Sequence, residues 1–161
     1  MWQKIQRFTE GHEIFERFGA AAFMLEGAGM TLATYGKYGQ DIRDRTFEFA
    51  CKMVDYCDDL LRHGWSGRVL APQLVRCGTS IGANLEEARG GESHADFISK
   101  CSIALKEARE SSFRMRVAVR RRFGDEKQAK WLAQEAGEIA AILGAIVRNA
   151  RRKPRGRSIE N

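Results

Sequence analysis

The chain has 161 residues, 43% of them hydrophobic, which suffices for one domain with an ordinary buried core and gives no case for two. Only Pro72 and Pro154 interrupt it, so nearly the whole length is free to run in long helices. The net charge of +6 is uneven: residues 1–40 carry 4 basic and 4 acidic groups, 41–110 carry 10 and 12, and 111–161 carry 13 and 5, which puts the whole excess in the C-terminal third.

Residues 1–40 have irregular apolar spacing and glycines at 11, 19, 27, 29, 36 and 39, which weaken any long helix. They read as an N-terminal extension. Two readings stay open: a short helix around Lys4–Phe18, or a stretch upstream of a true start at Met30. The run from Phe18 to Tyr35 is a poor signal peptide, because Glu26 breaks it and Glu10, Glu13 and Glu16 stand where positive charge belongs. It is also too short and too glycine-rich for a membrane span, so a cytoplasmic protein is expected.

From Asp41, a plausible N-cap, Phe47, Ala50, Val54, Cys57 and Leu61 recur at helical steps, and a second apolar line of Phe49, Met53, Tyr56 and Leu60 widens the stripe. This spacing predicts a helix burying two sides. Gly64 and Gly67 bracket the expected turn. The second helix is predicted to start near Val69 with Pro72 in its first turn, to run through Leu74, Cys77, Ile81, Leu85 and Ala88, and to stop at Gly90 and Gly91. Within it, Gly78 and Gly82 lie four apart at about 1 kcal/mol each relative to alanine, a cost that close approach of a neighbouring helix would offset.

Ser93 and Asp96 form a capping-box-like start for a third helix running to about Phe123, with a core face of Phe97, Cys101, Ala104, Ala108, Met115 and Val119. Its length, roughly 45 Å at ~1.5 Å per residue, predicts an arginine-rich end protruding beyond its neighbours. Asp125 caps a fourth helix on which Leu132, Ala136, Ile139, Leu143, Ile146 and Ala150 keep strict helical steps. Residues 151–161 read as a basic tail. Four helices with short turns predict an all-α, antiparallel up-down-up-down four-helix bundle over residues 41–150, flanked by the extension at 1–40 and the tail at 151–161.

The stretches DIRDRTFEFA (41–50), GTSIGANLEEA (78–88) and DFISKCSIALKEARE (96–110) resemble the bacterial four-helix-bundle proteins encoded by intervening sequences in 23S ribosomal RNA genes. Three motifs in the same order make the likeness specific, over about residues 41–150. It implies a homopentamer, and kinship with accessory proteins of diversity-generating retroelements, which bind nucleic acid and a reverse transcriptase. After KEARESSF the family often places Trp, where this chain has Arg114.

Catalytic constellations are hard to find. A di-iron bundle needs Glu-x-x-His on two helices, and neither His12, His63 nor His94 has that partner; Gly78 and Gly82 lack the strand and the Lys-Ser/Thr of a phosphate loop. The four cysteines, Cys51, Cys57, Cys77 and Cys101, have no metal-ligand spacing and read as buried thiols on apolar faces. No enzyme, metal or cofactor is therefore expected. Polar stripes on helix two (Arg76, Ser80, Asn84, Glu87) and helix three (Lys100, Glu107, Glu110, Arg114) read first as a paired seam, with a binding site as the alternative.

The best functional lead is basic. Arg114, Arg116, Arg120, Arg121 and Arg122 end helix three; Arg148, Arg151, Arg152 and Lys153 end helix four and begin the tail. Helix C-termini favour cations, but these clusters exceed what capping needs. The expected function is a non-enzymatic homo-oligomer binding RNA or DNA non-specifically through these two patches at opposite poles, with phosphate contact favoured over base stacking because aromatics among the arginines are few. A protein assembly scaffold without nucleic-acid contact is the alternative.

Overall fold

A computed structural model of the protein describes residues 42–152. The expectations about residues 1–40, Asp41 as N-cap and the tail from Lys153 onward lie outside the described residues. Four helices follow one another: α1 Ile42–Leu60, α2 Gly64–Arg89, α3 His94–Arg121 and α4 Glu126–Arg151. Short turns reverse the chain each time, and each helix packs on its sequence neighbours, with α1 against α4 closing the ring through the thinnest of the four seams. This is the antiparallel bundle the periodicity predicts.

Local signals set most of the boundaries. Ser93 Oγ accepts the Asp96 N–H at 3.1 Å and Asp125 Oδ1 accepts the Gln128 N–H at 2.7 Å, so the two predicted caps each satisfy a donor the helix start leaves orphaned. Helix α3 ends at Arg122 in the left-handed region (φ 55), and Gly124 (φ +62) follows it. A Cβ at Gly124 would lie 2.8 Å from the Tyr56 ring, so space as well as backbone conformation requires glycine there. The Tyr56 hydroxyl donates to the Phe123 carbonyl at 2.7 Å, tying the end of α1 to the α3–α4 turn.

Three expectations are corrected. Helix α2 begins at Gly64, five residues before the predicted start, and carries Pro72 in its interior. Packing decides this: Gly67 and Ala71 are buried, and Gly67 sits so close to Leu60 that a Cβ would come within 2.2 Å of the Leu60 carbonyl oxygen. The end of α3 does not stand clear of its neighbours: the helix has 28 residues against 26 in each of α2 and α4, and the Phe123 carbonyl just past it accepts from Tyr56 near the end of α1.

The third correction concerns the rotation of α1. Its second apolar line faces the core, with Phe49, Met53, Tyr56 and Leu60 fully buried, whereas Phe47, Val54 and Leu61 of the first line are exposed and only Cys57 of that line is buried. The glycines of α2 set this rotation: Met53 fills the space over Gly78 and Thr46 lies over Gly82. Cys51, expected inside, is exposed as a result, while Cys57, Cys77 and Cys101 are buried. The predicted face of α4 is buried from Leu132 to Ala150, and on α3 only Phe97 and Val119 are partly exposed.

The α1–α4 seam is closed by polar groups. Arg45 reaches across to Glu135, with its Nε at 2.5 Å and an Nη at 2.8 Å, and also pairs with Glu138. This fork geometry holds the Arg45 pKa above its ordinary value. Lys52 lies 5.4 Å from the centre of the Trp131 ring on the same seam. No helix among the described residues is long and apolar enough to cross a membrane.

Candidate nucleic-acid interface

The polar stripes of α2 and α3 meet as a paired seam. Arg76 bonds Glu110 at 2.5 Å and approaches Glu107 at 3.7 Å, Arg114 pairs with Glu110 and donates to Gln73, and Lys100 pairs with Glu87. Asn84 instead donates to the Ser80 carbonyl of its own helix at 2.8 Å. One atom, Glu107 Oε2, is buried without a hydrogen bond. Ser111 Oγ lies 3.1 Å from Cys77 Sγ beneath the seam. The arrangement joins two helices, and its charges are spent on each other.

That geometry removes Arg114 from the outward-facing cations: its side chain is only 21% exposed and is held by Glu110 and Gln73. The rest of the α3 end is different. Arg116, Arg120, Arg121 and Arg122 are exposed. Among the described residues Arg116, Arg120 and Arg121 make no salt bridge. An uncompensated cation at a surface is a long-range attractor for a polyanion.

At the opposite pole Arg148, Arg151 and Arg152 are also exposed. Arg151 donates to Ser102 Oγ at 3.1 Å and Arg148 folds back over Gly144 of its own helix, so two of these three are partly engaged. Lys153 lies outside the described residues. The two patches stand at opposite ends of the bundle, as an up-down topology requires.

Sequence reasoning missed part of the surface. Lys106 and Arg109 stand about three and two turns before Arg116 on the same outward side of α3, with Phe113 between Arg109 and Arg116, and all of these are exposed. Their steps of 3, 4, 3 and 4 from Lys106 to Arg120 are the available signal, masked by the run of arginines at the helix end. Trp65 was missed as well. It is 78% exposed in the first turn of α2, two residues after His63, whose ring lies 6.5 Å from that of Phe123. The chain thus brings an aromatic to the arginine pole from a distant part of the sequence.

Among the described residues no group of three or more His, Cys, Asp or Glu is placed to hold a metal ion. His63 stands near Asp59 at 3.8 Å and His94 opens α3 at the surface. The three buried thiols are held neutral: burial pushes Cys57 up to about 12 and Cys101 to about 11, and raises Cys77 as well.

Comparison with known proteins bears on most of this bundle. Residues 40–145 match the family described as 23S rRNA-intervening sequence protein. Among solved structures the chain is similar to a protein of unknown function from the S23 ribosomal protein family of Bacteroides thetaiotaomicron, at 34% sequence identity and a TM-score of 0.60, over 66% of this chain and 97% of that one. No curated protein matches.

Proposed function

The chain belongs to the family of 23S rRNA-intervening sequence proteins, and from that premise we propose that it is a non-enzymatic, cytoplasmic homo-oligomer that binds RNA or DNA without base specificity through arginines at its helix ends. The observation that carries this reading is the group of exposed arginines at the end of α3, three of which have no salt bridge among the described residues. Arg120 and Arg121 meet the helix dipole and Arg116 lies over the Phe113 ring, and none of the three is neutralised by a carboxylate among the described residues. Repetition of the same patch around a ring would multiply its field toward a polyanion.

Oligomerisation is supported by the outer line of α1. Phe47 (66% exposed), Val54 and Leu61 stand on one side of the helix with Cys51 beside them, an apolar row that a monomer seldom leaves in water. A second copy covering this row, in a closed ring of the size the family implies, is part of the proposal. The same row favours a second reading, an assembly scaffold that contacts only protein, a reverse transcriptase included.

Charge reversal separates the two. Arg120, Arg121 and Arg122 changed together to Glu should abolish retention of RNA and DNA in a low-salt gel shift. The triple change of Arg151, Arg152 and Lys153 should weaken it less, because Arg151 is already engaged by Ser102. Wild-type binding should fall steeply between about 50 and 200 mM salt as counterions compete. Retention unaltered by both triple changes would leave the scaffold reading standing.

A further inference from the structure

The outward face of α3 carries more than charge. Lys106, Arg109, Phe113, Arg116 and Arg120 form a single line down the side turned away from the core, all exposed, over roughly 21 Å at ~1.5 Å per residue. No acid interrupts it, because the carboxylates Glu107 and Glu110 turn to the α2 seam. In the middle of this line Phe113 is 60% exposed, with the Arg116 guanidinium 5.9 Å from the ring centre. The core does not need that ring, since Ala108, Ser111, Met115 and Ala118 already fill the inner face.

An apolar partner is a poor match for such a surface, because covering Phe113 would also strip water from four cations. An unpaired nucleotide matches it well. Its phosphates meet Lys and Arg, and its base offers a π-face that a phenyl ring accepts whatever the base is, whereas a base inside a duplex is already stacked on its neighbours. A ring has two faces, so a guanidinium on one leaves the other for a base.

We infer that nucleic acid bound by this chain lies along the outward face of α3 as a single strand, with a base stacked on Phe113 and phosphates on Lys106, Arg109, Arg116 and Arg120. The inference rests on the nucleic-acid reading above and adds strandedness and a track to it. It also revises the preference for phosphate contact alone: the aromatic sits within the cationic line.

The test is fluorescence anisotropy with the full chain, using a labelled DNA of about 20 nucleotides, single-stranded and as its duplex, in about 50 mM salt. Wild type should bind the single strand several-fold more tightly. Phe113→Ala should weaken single-strand binding roughly five- to hundredfold, the range that loss of one stacked base produces, and leave duplex binding and the melting temperature unchanged. Phe113→Trp should restore or exceed wild-type single-strand affinity. If both DNAs bind equally well and Phe113→Ala alters neither, this inference falls while the nucleic-acid reading stands. Absence of binding by wild type to either DNA and to an RNA of the same sequence removes both. A change of sedimentation on Phe113→Ala would assign the ring to a contact between copies and overturn the track.

Discussion

Adding one methyl group at Gly78 and at Gly82 should have opposite effects, although both glycines lie on one face of one helix. Replacing an interior helical glycine by alanine is worth about 1 kcal/mol in backbone terms alone. At Gly82 the new Cβ would stand 3.6 Å from Thr46 Oγ1, an ordinary contact, so Gly82→Ala should keep that gain, up to about 1 kcal/mol. At Gly78 it would stand 2.8 Å from Met53 Cγ and 3.3 Å from Met53 Cβ. Those atoms are the root of the side chain, not its mobile end, and Met53 is fully buried, so α1 must shift or Met53 must leave its rotamer. Overpacking of this kind costs about 1–3 kcal/mol, which makes Gly78→Ala neutral to about 2 kcal/mol destabilising, and Gly78→Leu worse. The difference between the two alanine variants, about 1–3 kcal/mol, is the cleaner quantity because the propensity gain cancels. Urea denaturation followed by circular dichroism at one protomer concentration measures it. The cost at Gly78 should also shrink in a Met53→Ala background, where the obstructing atoms are gone. Equal midpoints for the two alanine variants would refute the account of how α1 is seated.

Native protein treated with a thiol reagent near pH 8 should show one fast cysteine, Cys51, lost on Cys51→Ser, and this phase should slow as protomer concentration rises if copies meet on the outer side of α1; two or more fast thiols would contradict the burial of Cys57, Cys77 and Cys101. Sedimentation over the same range should show a closed oligomer, and a monomer at tens of micromolar would remove it. Tyr56→Phe should cost about 1–2 kcal/mol by orphaning the Phe123 carbonyl. Burial raises the folded Tyr56 pKa, so its contribution is intact below the unfolded value near 10 and is lost as pH rises above it; the alkaline limb of a stability–pH curve should be shallower in the Phe variant. A chain starting near Gly39 should fold with full helical circular dichroism, because every periodic stripe lies after Gln40; aggregation of that chain alone would place residues 1–40 in the core.

What the sequence made legible was whatever a single helix decides by itself. The stripe from Leu132 to Ala150 and the caps at Ser93 and Asp125 depend on local spacing and local hydrogen bonds, and they appear where they were expected. Rotation of α1 was not legible, since two apolar lines compete there and the choice lies with Gly78 and Gly82 of another helix. Pro72 misled for a related reason: its usual place is a first turn, but burial of Gly67 and Ala71 extends α2 upstream of it. At the candidate interface, the clustering of arginines and the i,i+4 spacing of Glu110 and Arg114 are evident, whereas the bond of Arg114 to Gln73 of α2 and the arrival of Trp65 at the same pole are tertiary facts.

The seam between α1 and α4 gives the ring a preferred place to open. Three sides of the bundle are joined by extensive contact along neighbouring helices, but the fourth is drawn together by the fork of Arg45 on Glu135 and Glu138 and by Lys52 on Trp131. With the short turn from Leu61 to His63 at its far end, α1 is built like a door, hinged at one pole and latched along its free edge. Amide exchange along α1 should therefore precede that of α3 and α4, in a cooperative swing rather than by fraying from the ends. Salt loosens the latch and leaves both the buried contacts of α1 with α2 and the interlock of α3 with α4 in place, so rising ionic strength should make this opening more frequent without being its only determinant.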